Sequence, residues 1–168
     1  MTQARARVSG KQPRSTRPHM RGYGIPKTTK GLLPWTWAEQ RLKKSHNYWI
    51  STARPDGSPH TMIVWGLWLD GAFYFSTGNQ SRKAKNLANN PKCVICTEHA
   101  EQAVVVEGTA TATTEPALLK RFAVLYQKKY KWDMSEFGEP VYVVRPRVAF
   151  GLYEKDFMGS ATRWRFKT

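Results

Sequence analysis

The sequence reads as one mainly-β domain of the α+β kind. It predicts six or so mostly antiparallel strands and two to three helices, arranged as a small closed or split barrel. Three observations carry that reading. Short β-branched and aromatic runs recur with period two. Asp56-Gly57 and Asp70-Gly71, both favoured hairpin dipeptides, separate successive runs. Stretches with helical spacing interrupt the strands at only a few places.

At 168 residues the chain suits one domain with a full core. Its cations are unevenly placed. Residues 1–30 hold Arg5, Arg7, Lys11, Arg14, Arg17, Arg21, Lys27 and Lys30 and no acid, which accounts for +8 of the +15 net charge. This segment lacks apolar period and is broken by Gly and Pro, so a basic disordered tail is expected over 1–30 and the folded domain over 31–168. The tail suits an acidic surface or a nucleic acid. A solvated extension is the simpler expectation, since the rest of the chain shows no nucleic-acid motif.

No run approaches the about 18 apolar residues of a membrane span. The N-terminus has no apolar h-region of a secretory signal, so a cytoplasmic location is expected.

The elements follow in order. Residues 32–45 read as a helix, with Pro34 near its start and Trp37, Ala38, Arg41 and Leu42 at helical spacing. Strands are expected over 47–53, 60–69 and 72–77. A basic helix runs over 81–89, closed by Pro91. Strands over 92–98 and 104–114 follow, the second reading VVVEGTATATT. A second long helix covers 115–130, with Glu115 and Pro116 at its start and Leu118, Leu119, Phe122, Leu125 and Tyr126 as its apolar stripe. Residues 131–140 are a loop. The last strand is expected over 141–155, and Pro146 implies an edge position or a bulge. SATRWRFKT is left as a terminal tail.

Cys93 and Cys96 form a lone C-x-x-C inside a β-like run. Residues i and i+3 of a strand point to opposite faces, and only His99 lies near as a further ligand. Two strand cysteines packed as core are expected, with no metal.

The chemistry concentrates at 71–91, GAFYFSTGNQSRKAKNLANNP. A strand end and a helix start bring Ser76, Thr77, Ser81, Arg82 and Lys83 together. Hydroxyls, cationic heads and free N–H groups at a helix start make a phosphate site. The neighbouring strands are rich in Trp, Tyr and Phe. An anion socket beside an aromatic wall suits a phosphate at one end of a molecule and a flat ring at the other, as in FMN. No Ser-His-Asp, zinc or carboxylate-pair motif appears, so no catalytic side chain is assigned and the cofactor ring would carry the chemistry.

The order of these motifs resembles a known family. RPDGSPHTMIVWGLWLDGAFYFST, then SRKAKNLANNP, then TRWRF, resembles the FMN-binding split-barrel proteins related to pyridoxamine 5′-phosphate oxidase, in particular the branch that includes deazaflavin-dependent reductases. The resemblance runs from about Leu33 to Phe166. It implies a six-stranded antiparallel split barrel forming a homodimer, with cofactor sites at the interface. Met62, Ile63, Val64 and Trp65 would line the ring. Thr77, Ser81, Arg82 and Lys83 would hold the phosphate, and Trp164 and Arg165 would reach the ring, from the same subunit or from the partner subunit. It implies a flavin-dependent oxidoreductase acting on a small molecule with FMN or a deazaflavin coenzyme. Pyridoxamine 5′-phosphate oxidases carry a longer C-terminal region that grips the substrate phosphate. The sequence here stops soon after TRWRF, so oxidation of pyridoxamine phosphate is not the expected activity.

Other readings stay open at this point. Arg82 and Lys83 are also what a solvated helix would carry, and the aromatics are also what a β core needs. The chain could be a non-catalytic flavin-binding or sensing module. His46 and His60 would meet iron in a haem-degrading relative. The basic tail leaves a nucleic-acid-binding protein as a weaker alternative.

Overall fold

The computed structural model describes residues 12–134 and 138–167. The strands are β1 (Arg14–Thr16), β2 (Asn47–Ala53), β3 (Pro59–Leu69), β4 (Ala72–Ser76), β5 (Lys92–Thr97), β6 (Val104–Thr113), β7 (Val141–Gly151) and β8 (Thr162–Arg165). The helices are α1 (Trp35–Lys44), α2 (Arg82–Asn89), α3 (Pro116–Tyr130) and the short α4 (Phe157–Ser160). Every strand pairing is antiparallel, in the order β1-β8-β7-β4-β3-β2-β5-β6, and β6 also pairs with β7. That last pairing closes β7, β4, β3, β2, β5 and β6 into a six-stranded antiparallel barrel, with β8 and β1 as extra strands.

The barrel splits along β7. One edge of this strand pairs with β4 through Val144 and with β8 from Val148 onward. Between them stands Pro146, which has no N–H to give a ladder. Opposite it the β6 register shifts between Glu107 and Gly108. The bulge expected from Pro146 is therefore present, and it is where β7 exchanges one neighbour for another.

The Asp70-Gly71 hairpin has both residues at positive φ, 50° and 79°, the geometry of a tight turn matched to strand twist. Inside the barrel lie Tyr48, Ile50, Val64, Trp68, Phe73, Phe75, Ile95, Val106 and Val144. From α1, Trp35, Ala38 and Leu42 pack onto the same core, at the spacing of one helix face. A second apolar layer lies outside the barrel, where α3 lays Phe122, Tyr126 and Tyr130 over Leu67, Tyr74, Val141 and Val143. Gly66 is required by close approach, because a Cβ there would overlap the Phe73 ring. Among the described residues no helix is long and apolar enough to cross a membrane.

Two expectations about the termini are corrected. The strand expected over 141–155 ends at Gly151, and the stretch left as a tail contains β8, paired to both β7 and β1. The disordered tail expected over 1–30 does not hold for residues 12–30; residues 1–11 lie outside the described set. β1 joins the sheet edge through backbone pairing with β8. Arg17 then donates to the carbonyls of Thr28 (2.9 Å), Gly159 (2.7 Å), Ala161 (3.0 Å) and Lys30. Anchoring by backbone acceptors leaves no apolar period in the sequence, so a basic, Pro-rich segment reads as unstructured although it is fixed.

Arg17→Ala should therefore lower stability. Hydrogen bonds to a charged group contribute about 1.5–3 kcal/mol, and the loss should fall in or above that range because one guanidinium joins two segments. Urea unfolding should show a lower midpoint at unchanged slope. An unshifted midpoint would mean that the strap contributes nothing.

Candidate functional site

The site is built where β4 ends and α2 begins. α2 is held against the barrel by buried Ala84 and Leu87 and by Asn86, whose Nδ2 donates to Thr52 Oγ1 on β2 at 3.0 Å. Ser81 is its N-cap and accepts from the Ala84 N–H at 3.3 Å. Thr77 Oγ1 lies 3.2 Å from Ser81 Oγ, so the two hydroxyls form one pair at the helix start. The N–H groups of Arg82 and Lys83 have no acceptor among the described residues. Glu139 supplies the carboxylate nearest this turn, accepting from the Asn79 N–H at 2.7 Å.

The charges here run against helix electrostatics. The first turn of α2 holds Arg82 and Lys83 and no acid. Cations at the positive end of a helix are unfavourable, and an anion there is favoured. The Lys83 side chain is half-buried, burial pushes its pKa below the usual lysine range, and its amine has no partner among the described residues. Arg82 next to it is exposed.

Lys83 lines a shallow, open cleft of about 290 Å³ together with Ile63, Val64, Trp65, Ser76, Thr77 and Tyr126. Six residues expected at the site therefore meet in one cavity, and Ser81 joins them through Thr77. Ser76 also ties the site floor down, donating to the Pro140 carbonyl at 3.0 Å. Met62 is exposed on β3 and does not line the cleft.

Trp164 is 0% exposed in the barrel core and packs edge-on against Trp35 at 5.4 Å, away from this chain's cleft. β8 alternates, with Thr162 and Trp164 facing inward and Arg165 outward. Arg165 is exposed and is also no part of the cleft lining. Of the C-x-x-C pair, Cys93 is buried and Cys96 half-buried, both as free thiols.

Tyr126 was missed because its place in the α3 stripe reads as core. Its hydroxyl, on an otherwise apolar face, was the available signal. It belongs to an aromatic group in which Trp65 stacks on Tyr130 at 4.7 Å and 6°. Tyr126 adds a tilted contact to Tyr130, also at 4.7 Å. Trp65 Nε1 donates to Asn47 Oδ1 at 3.2 Å, and the Tyr130 hydroxyl accepts from the Gly66 N–H at 2.9 Å. The cleft wall is thus held from behind by α3.

Next to this group, Lys129 donates to Tyr48 Oη at 2.9 Å and to the Gly66 carbonyl at 3.0 Å. Burial pushes its pKa down to about 8, partly opposed by Glu98. The folded protein therefore releases this proton at lower pH than the unfolded chain. By linkage, the Lys129 contribution becomes more favourable as pH rises from about 8 toward the ordinary lysine value of about 10.4. The stability of the wild type relative to Lys129→Met should increase across that window. A pH-independent difference between the two would contradict it.

With this geometry in hand, comparison with known proteins is informative. The pyridoxamine 5′-phosphate oxidase family profile matches residues 37–152, more than half of the chain. The chain belongs to that family. The family match spans α1 through β7 and includes every residue lining the cleft. An F420 reductase structure is similar at 20% identity, with 66% of this chain and 94% of that one covered and a TM-score of 0.56. General stress protein 26 from Bacillus anthracis is 20% identical, covering 69% of this chain and 92% of its own, at TM-score 0.58. HutZ, the haem storage protein from Vibrio cholerae, is 12% identical, covering 65% and 87%, at TM-score 0.55. At these identities the likenesses establish the split-barrel fold. No curated protein sequence matches the chain.

Proposed function

We propose that the protein is a flavin-dependent oxidoreductase that binds FMN, with the phosphate at the start of α2 and the ring against β3. The observation that carries this reading is the unpartnered, half-buried Lys83 amine at the positive end of a helix whose first turn has no acid. A phosphate there would accept from Lys83, from the Thr77 and Ser81 hydroxyls and from the free N–H groups of Arg82 and Lys83. The Ile63 and Trp65 side chains and the Val64 backbone would meet the ring.

When bound, such a cofactor supplies hydride transfer. The chain's part is to bind, orient and exclude water. Among the described lining residues only Lys83 and Tyr126 titrate, and burial pushes the Tyr126 phenol up to about 12, so it stays protonated. Neither side chain is assigned the role of a catalytic base. The reacting proton and hydride therefore belong to the cofactor and a small-molecule substrate.

The reading includes a homodimer. At about 290 Å³ the cleft falls just below the roughly 300–1,000 Å³ usual for ligand pockets, and it is shallow and open. On the same sheet face Trp49 and Ile63, cross-strand neighbours, are 43% and 50% exposed. A second copy laid on this face would cover the aromatics and close the cleft. Sedimentation should report a dimer. Ile63→Glu should give a monomer with weakened FMN binding, and a monomeric wild type that binds FMN fully would remove the dimer from the proposal.

A deazaflavin coenzyme is the second reading. The fold likeness to an F420 reductase favours it, and its phosphate would use the same helix start. Parallel calorimetric titrations with FMN and with a deazaflavin coenzyme separate the two. Turnover of the loaded protein with a reductant and small-molecule acceptors separates an enzyme from a cofactor-binding module. Binding of neither cofactor at high micromolar concentration would end both readings.

A further inference from the structure

A second cleft, of about 460 Å³, opens between the last turns of α1, the end of β5 and the short helical turn Ala100–Gln102. It shares no lining residue with the cleft at α2. Arg41 is held rigidly in its wall. Nη1 donates to the Trp37 carbonyl at 3.0 Å, Nη2 donates to Gln102 Oε1, and the guanidinium lies 3.7 Å over the Trp37 ring. Its Nε is buried and has no partner.

Leaving a charged donor buried and unsatisfied costs more than an ordinary hydrogen bond returns, so such a group calls for an acceptor. A second donor is available beside it. Thr97 is 7% exposed and its Oγ1 accepts from the Val104 N–H at 3.0 Å, while its own proton has no acceptor among the described residues. Lys44 is exposed in the same lining without a partner among the described residues, and His99 lies 3.6 Å from Glu98. Glu101 is the one carboxylate lining the cleft. The set is rich in donors: Arg41 and Lys44 face Glu101 in the lining, while the adjacent Glu98 carboxylate is taken up by the His46 and Asn47 N–H groups.

We propose that this cleft is a separate binding site for a small organic oxyanion, with a carboxylate or phosphate head accepting from Arg41 Nε, Thr97 Oγ1 and Lys44 Nζ. A bare ion would leave most of the volume empty, because clefts of this size hold molecules with a body as well as a head. Gln40, Gln102 and His99 would contact a polar body. Arg41 is immobilised before any ligand arrives, so little side-chain entropy is lost on binding.

The test uses the full chain carrying Lys83→Gln, so that the α2 site does not take up the probe. Citrate and, separately, inorganic phosphate are titrated against the 15N–1H spectrum. Saturable shifts centred on the amides of Thr97, His99 and Gln102 are expected below roughly 10 mM, as for a Kd on the order of 1 mM. Citrate alone shifting them assigns an organic carboxylate, and both probes doing so assigns any oxyanion head. Arg41→Lys keeps the charge but loses the Nε donor, and Lys44→Gln removes an exposed charge with no packing role. Each should weaken binding about tenfold. Absence of shifts with both probes, or shifts unchanged in Lys44→Gln, overturns the site. Neither result depends on whether the protein binds a flavin.

Discussion

Replacing Lys83 with Ala should lower FMN affinity about ten- to hundredfold, because a charge-assisted hydrogen bond contributes about 1.5–3 kcal/mol. The fold should survive, since the amine makes no contact within the protein that its loss would break. Stability should stay level or rise slightly. A cation at the positive end of α2, held partly out of water, is unfavourable without an anion beside it. Calorimetric titration and thermal unfolding of the same preparation read the two effects separately. Undiminished affinity would place the phosphate elsewhere. A large drop in melting temperature would show that Lys83 is structural.

Trp164→Ala should act in the opposite way, costing roughly 3–5 kcal/mol of stability, the usual range for truncating a fully buried large aromatic. Trp164 is 0% exposed, packs against Trp35, and lies so close over Gly151 that a Cβ there would collide with its ring. Its indole N–H is buried without a partner among the described residues. Trp164→Phe should therefore recover much of the loss, keeping apolar volume while removing an unsatisfied donor. Denaturant unfolding measures both variants. If Trp164→Phe instead kept full stability but lost cofactor affinity, the indole would belong to the site after all.

The contrast between these two residues shows what was legible in the sequence. The α2 cradle was readable because its parts are local. A strand end, an N-cap serine and two cations within a few residues can meet only one way. The hairpins were readable because Asp-Gly fixes the turn. The inward face of β3 was not readable, because both faces are apolar. Val64 faces the barrel, Leu67 faces α3, and Trp65 faces the cleft. Packing against residues of other strands and of α3 separates the two faces. In β8 the alternation of Thr162, Arg163, Trp164 and Arg165 did carry the inward direction of the tryptophan, but four residues with two arginines are too few to announce a strand. Tyr126 and Arg17 depend on partners far along the chain, a helix packed on a sheet and carbonyls near Gly159. No local pattern encodes the partners of Arg17, and for Tyr126 the hydroxyl on an apolar stripe is the one local sign.

The central claim is that the start of α2 holds the phosphate of a flavin. The most direct test compares FMN with riboflavin, which has the same ring and no phosphate, on the wild type and on Lys83→Ala. FMN should bind the wild type at least about tenfold tighter than riboflavin, and the difference should shrink markedly in Lys83→Ala while riboflavin affinity stays the same, since one charge-assisted contact corresponds to at least that factor. Equal binding of FMN and riboflavin by the wild type would contradict the account.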